Sequence, residues 1–210
     1  MILLTKTRKI TSIEAQAKNK ERVNVYLDGE FYKGVSLETV LKHRLKAGAE
    51  LTEEELTRVF SDEERTRALE KAAGYVAKSF KTKRQVKDYL VKKGFSEELA
   101  WECVDKLKEY GYIDDQEYSK RFIETTAKTQ GLKMMEYKLM QKGVRKEDIF
   151  AGAEKAEASF SENAAILAEK YMKNKEPVKE NYAKLYRYLI GKGFSYEEAD
   201  FAVKSVKGEN

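Results

Sequence analysis

Five cations, Lys78, Lys81, Lys83, Arg84 and Lys87, fall within ten residues that hold no acid, and Lys92 and Lys93 follow shortly after. At about 100° per residue on a helix, Lys83 and Lys87 share one face with Arg84 beside them, while Val86 and Leu90 face inward. Grouped cations of this kind attract phosphates through charge and counter-ion release and do no bond chemistry themselves. The same window also reads as an ordinary solvated helix face in a chain that is 37% charged, although no other window is as unbalanced. Asp114 and Asp115 form the one adjacent pair of aspartates, fit in principle for a metal or for acid–base work. The stronger reading makes one of them the N-cap of a helix beginning near Gln116, because an aspartate carboxylate satisfies the free amides of a first turn.

Other chemistries are thinly supplied. Cys103 is the only cysteine, which excludes a disulfide framework and any cysteine-rich zinc site. His43 is the only histidine, so histidine-cluster metal sites are excluded and a Ser/His/Asp triad would have to pass through it. It stands before Arg44 in a short polar segment and is not expected to be catalytic. Neither a cofactor nor a metal is expected. The net charge of +5 is diffuse: cations exceed acids by two in residues 1–60, two in 61–110, none in 111–160 and one in 161–210. A polyanion partner is therefore permitted, not required. No stretch approaches 18 apolar residues and the opening MILLTKTRK is too short for a signal segment, so a soluble, cytoplasmic chain is expected.

The elements that would carry these residues are mainly helical. A charged share of 37%, against about a quarter in average chains, with a single proline, favours thin helical cores over broad sheets. Only the start differs. Val23, Val25 and Leu27 alternate at period 2, and Asp28–Gly29 follows, which predicts a hairpin with a primed turn. Ile13, Ala15 and Ala17 alternate ahead of it as a third strand. Short helices are expected over about 36–45 and 52–60, the second opened by the capping box Thr52–Glu55. A further capping box at Ser61–Glu64 is expected to begin a new helix, whose Leu69, Ala73, Val76 and Phe80 form one apolar stripe. Thr82–Gln85 caps the next.

An internal repeat organises the remainder. YLVKKGFSEE (89–98), KLMQKGVRKE (138–147) and YLIGKGFSYE (188–197) share one pattern, with glycines Gly94, Gly143 and Gly193 spaced 49 and 50 residues apart. Val86/Leu90, Met135/Leu139 and Leu185/Leu189 stand eight and four residues before them, and Ala100/Val104, Ile149/Ala153 and Ala199/Val203 six and ten after. A glycine after a lysine at a helix end supplies the left-handed C′ residue, and the Phe or Val that follows packs back onto the helix. Three tandem three-helix units result, in an elongated array over 61–113, 114–158 and 159–210, preceded by an N-terminal region over 1–60. Arrays of this type bind partners along extended surfaces. The thirteen tyrosines invite a stacking reading, but Tyr89, Tyr118, Tyr171 and Tyr188, like Phe122, sit at core spacing. Trp101 and Cys103 flank the inward stripe as partly buried packing residues.

These segments resemble the RecX family of cytoplasmic bacterial modulators of the RecA recombinase. The resemblance rests on ALEKAAGYVAKSFKTKRQVKDYLVKKGF, LKEYGYIDDQEYSKRF, GLKMMEYKLMQKGV and YLIGKGFSYEEA, with NKERVNVYLDGEFYKGVSLE similar to the N-terminal region of longer members. It covers about Ile10 to Lys204. It implies three tandem three-helix repeats and a monomer that lodges in the groove of the RecA–single-stranded DNA filament, restraining ATP hydrolysis and strand exchange. No catalysis is implied, and any direct contact with single- or double-stranded DNA is expected to be weak. The family's basic positions around its helix cap fall on Lys78, Lys81 and Lys87, with Thr82 as the cap. Lysine there replaces the planar arginine fork common in the family with a point charge.

Overall fold

The computed structural model describes residues 6–208. Two compact units divide between Lys71 and Ala72.

The first unit is built on a four-stranded antiparallel sheet in the order β3-β2-β1-β4: β1 Thr7–Gln16, β2 Asn19–Leu27, β3 Glu30–Ser36 and β4 Glu50–Thr52. Asp28 (φ 53°) and Gly29 (φ 88°) make the β2–β3 turn, both in the left-handed region that a primed two-residue hairpin demands. Val23, Val25 and Leu27 point into the core as their alternation requires. The third strand forms as β1, and its pairing with β2 sets a register that the alternation alone left open. An irregularity between Ile10 and Ser12 makes Ile10 the buried residue, leaves Ile13 half-buried and puts Ala15 and Ala17 in solvent. The three-residue β4 is too short to show any alternation in sequence, and it pairs with Thr7–Lys9 at the edge.

Two helices follow, α1 (Leu37–Lys42), capped by the Ser36 hydroxyl, and α2 (Glu53–Val76). The capping box at Thr52 forms as expected, with Thr52 and Glu55 bonding each other's amides. The start expected at Ser61 does not exist, because α2 runs through Ser61–Glu64 without a break. Within this continuous helix Glu63 is buried. The apolar stripe is displaced as well. Ala68 and Ala72 are fully buried, Leu69, Ala73 and Val76 are half-buried, and Phe80 is exposed beneath the Arg121 guanidinium at 3.9 Å.

The second unit continues with α3 (Lys83–Lys92), α4 (Glu97–Glu109), α5 (Asp115–Thr126), α6 (Leu132–Gln141), α7 (Lys146–Lys155), α8 (Phe160–Met172), α9 (Lys179–Gly191) and α10 (Tyr196–Lys207). The six residues eight and four before the repeat glycines are all fully buried. Gly94, Gly143 and Gly193 take φ of 91°, 80° and 90°. At each turn the residue after the glycine bonds back to the helix (Phe95 to Leu90, Val144 to Leu139, Phe194 to Leu189), and the glycine amide bonds to Val91, Met140 or Ile190, which is the Schellman closure. Thr82, Ser96, Asp114 and Ser195 cap their helices by side chain, whereas Arg145 opens α7 without a side-chain cap.

Successive repeats join in one manner. Thr82, at the start of α3, donates its hydroxyl to the Lys142 carbonyl at 2.8 Å, and the Arg84 chain lies on Gly143. Gly131, at the start of α6, donates its amide to the Lys192 carbonyl at 3.0 Å, and Met134 lies on Gly193. A helix start in one repeat thus rests on the glycine turn of the next.

Candidate partner-binding face of the first repeat

The cation window of the first repeat divides into residues committed to the fold and residues left for a partner. Lys83 belongs to the fold. Its side chain, 20% exposed, places Nζ 3.8 Å from Asp115 Oδ2 and 3.6 Å from Asp148 Oδ2, and its amide donates to Asp115 Oδ1 at 3.0 Å. Burial pushes the Asp115 carboxyl above the usual aspartate range against the pull of Lys83. At Asp148 burial acts the same way but loses to the Arg145 hydrogen bond and the Lys83 charge, so this carboxyl lies below the usual range. Lys87 is committed too, with Nζ 2.7 Å from Glu97 and 3.0 Å from Asp88; the Glu97 bond first, then that of Asp88, raises its pKa. Arg84 spends its aliphatic chain on Gly143 and sets its guanidinium 3.7 Å from Asp88.

Lys78, Lys81, Lys92 and Lys93 remain. Lys78, Lys92 and Lys93 are exposed, and none of the four forms an ion pair among the described residues. Lys81 and Lys93 are held by aromatic rings. Tyr75 from α2 and Tyr89 from α3 stack with centroids 4.1 Å apart and planes 5° from parallel. Lys81 Nζ stands 5.0 Å from the Tyr75 centroid and Lys93 Nζ 5.6 Å from that of Tyr89. No ammonium fits within a 4.1 Å gap, so the cations cover the outer faces and the order is lysine, tyrosine, tyrosine, lysine. Lys81 also donates to the Ser79 hydroxyl. A ring quadrupole holds an ammonium without neutralising it, so both charges stay available.

The tyrosines are what sequence reasoning missed. Tyr89, Tyr118, Tyr171 and Tyr188, expected as core, are half-buried at its edge, and Tyr75 carries no repeat signal in the sequence. The only available signal was the recurrence of a tyrosine five residues before the glycine in the first and third repeats.

The remaining candidates have structural places. Asp114 caps α5, accepting from the amides of Gln116 and Glu117, while Asp115 is buried beside Lys83. The two carboxylates thus serve different neighbours, and among the described residues no group of three or more His, Cys, Asp or Glu could hold a metal ion. His43 Nε2 lies 3.0 Å from Asp62 Oδ2, an oxygen shared with Lys42 at 2.7 Å. Cys103 is buried, which pushes its thiol up to about 11. Trp101 is more open than expected, at 43% exposed. Among the described residues no helix is long and apolar enough to cross a membrane. Among the described residues the first repeat thus presents four ammonium groups that no carboxylate pairs, two of them held by tyrosine rings, a set suited to holding anions.

Comparison with known proteins accounts for this architecture. The model of the regulatory protein RecX N-terminal domain matches residues 8–52, that of the first RecX three-helix domain residues 68–107, and that of the third residues 160–203. Regulatory protein RecX of Clostridium botulinum (strain Alaska E43 / Type E3) is 36% identical over 205 residues, covering 94% of this chain and 96% of its own. The chain belongs to the RecX family. Regulatory protein RecX of Clostridium tetani is 35% identical over 207 residues, covering 96% of this chain and 94% of its own. A crystal structure of regulatory protein RecX superimposes with a TM-score of 0.72 at 28% identity, over 92% of this chain and 97% of that one. RecX from Lactobacillus salivarius, at 22% identity and a TM-score of 0.63 over 69% of this chain, shares the fold. The RecX proteins are regulatory by name, and the first and third helical repeats match their first and third three-helix domains.

Proposed function

We propose that this RecX protein binds RecA–single-stranded DNA filaments in the bacterial cytoplasm and restrains their ATP hydrolysis and strand exchange during recombination and DNA repair. The observation that carries this reading is similarity to regulatory RecX proteins along nearly the whole length of both chains, at 94% and 96% coverage. The first repeat supports it. Lys78, Lys81, Lys92 and Lys93 present charge that the fold does not use, as contact with a polyanionic assembly requires. The protein acts by holding neighbouring filament subunits in one arrangement, which shifts assembly and turnover and involves no bond chemistry of its own.

The test is RecA ATPase and strand exchange with stoichiometric purified protein. Lowered turnover and exchange are expected, and unchanged rates would remove the reading.

A further inference from the structure

The third repeat carries a comparable arrangement of two tyrosines and two lysines, with its rings less closely stacked. Tyr171 from α8 and Tyr188 from α9 face each other with centroids 4.8 Å apart and planes tilted by 31°. Lys175 Nζ lies 3.0 Å from the Tyr171 centroid and donates to the Tyr171 carbonyl at 2.9 Å. Lys192 Nζ lies 5.4 Å from the Tyr188 centroid. Tyr188 and Lys192 stand five and one residues before Gly193, as Tyr89 and Lys93 stand before Gly94. The second repeat lacks the arrangement, because Lys138 occupies the tyrosine position. Neither Lys175 nor Lys192 forms an ion pair among the described residues, although Lys184 on the same helix α9 pairs with Glu180 at 2.7 Å.

We propose that Tyr171, Tyr188, Lys175 and Lys192 form a second anion site, on the third repeat, that takes the phosphodiester backbone of a single-stranded nucleic acid directly. Two features of the geometry point to phosphate. Each ring-held ammonium is a point charge without a planar fork, which matches a phosphate oxygen and carries no demand for bidentate register. The site also recurs in separate repeats, which suits a polymer whose unit charges recur along its length. A folded acidic protein would have to place its carboxylates to match each copy. Neutralising backbone charge at both sites also releases counter-ions, giving binding a steep salt dependence. The site does not rest on RecA, so it is tested in RecA's absence.

The experiment is fluorescence anisotropy of a labelled single-stranded thymidine oligonucleotide with the full-length protein across a salt series. The wild type is expected to bind at low salt. Lys175→Gln with Lys192→Gln should bind several-fold more weakly, with the log–log salt slope reduced by about 1.4 for two lost phosphate contacts at roughly 0.7 each. Lys81→Gln with Lys93→Gln should do the same. Lys175→Arg with Lys192→Arg should keep the slope, as should Lys184→Gln, whose cation is already paired. Circular dichroism melts select variants that remain folded. An unchanged slope in the folded Lys175→Gln/Lys192→Gln variant overturns the proposal, as does a wild type that fails to bind at low salt. Displacement of the strand by polyglutamate at equal charge concentration would reassign the site to acidic proteins and overturn it as well.

Discussion

The Thr82 hydroxyl donates to the main-chain carbonyl of Lys142, sixty residues further on, at 2.8 Å. The same oxygen accepts the Gln85 amide, so one fully buried side chain both caps α3 and joins the first repeat to the second. Replacing Thr82 with the isosteric Val keeps the packing and removes both bonds. Two buried polar groups then lose their partner, and a cost of about 2 kcal/mol is expected. Urea denaturation checks this, with a lowered midpoint and an unchanged slope; a midpoint within error of wild type would contradict it.

The second joint depends on the absence of a side chain. A Cβ on Gly131 would stand 2.2 Å from the Gly193 backbone, where neither chain can yield without moving a helix. Gly131→Ala is therefore expected to destabilise the second unit by about 3 kcal/mol, as overpacking against backbone does. Gly111→Ala gives a contrast, since nothing lies within 4 Å of that position and only its φ of 75° opposes the change. Thermal melts of the two variants should differ, with Gly131→Ala the lower.

Glu63 governs the acid response of the first unit. It is 1% exposed and accepts from the Ser36 amide, the Ser36 hydroxyl and the Thr39 hydroxyl at 2.8–2.9 Å, with Arg22 2.9 Å away. Burial, the largest influence, pushes its carboxyl up. The bonds from Ser36 and Thr39 together with the Arg22 charge outweigh burial, so the folded value lies below the ordinary one. The folded state thus binds fewer protons at this site than the unfolded chain. The stability it contributes is present above the unfolded value, about 4.3, and is lost as pH falls through the folded value. Hydrogen exchange of the β2 and β3 amides should accelerate over that interval in wild type. Glu63→Gln should lower stability by about 3 kcal/mol at neutral pH by leaving Arg22 unpaired, and should flatten the acid dependence.

Local signals made most of the helical unit legible. Val86, Leu90, Met135, Leu139, Leu185 and Leu189 could be assigned to the core because period and glycine spacing coincide, and Thr82 and the Asp114–Asp115 pair could be read as cap positions because a cap is decided within four residues. Glu63 could not be read, since its partners Ser36 and Arg22 lie 27 and 41 residues back. Lys83 shared the unbalanced window with Lys81, yet Asp115 and Asp148 from later elements draw it inward. Which cations remain for a partner is thus fixed by tertiary contacts that no window of sequence contains.

Cys103 provides an opening probe. Its thiol is buried and pushed up to about 11, so very little thiolate exists at neutral pH. Reaction with a disulfide reagent should be slow in the folded protein and fast in denaturant, since the thiolate is the attacking species. Variants that loosen the first repeat, Thr82→Val among them, should react faster than wild type, and equal rates would mean that this repeat does not open.

The split between committed and available cations predicts which lysines the proposed RecA contact needs. Lys78, Lys81, Lys92 and Lys93 have no carboxylate partners among the described residues, so exchanging all four for Gln should leave the melting temperature close to wild type. Losing four exposed contacts of a few tenths of a kcal/mol each sums to about 1.4 kcal/mol, or roughly tenfold more protein for half-inhibition of RecA ATPase. Lys83→Met should reverse the pattern. It removes the cation between Asp115 and Asp148, leaving Asp115 with only the residue 83 amide while Asp148 keeps its Arg145 bonds, and should lower stability by about 2 kcal/mol. Because the Lys83 ammonium faces inward, inhibition by the folded fraction should be unchanged. ATPase titrations paired with melts separate the outcomes. Full inhibition by the fourfold variant, or loss of inhibition by folded Lys83→Met, would place the RecA contact elsewhere.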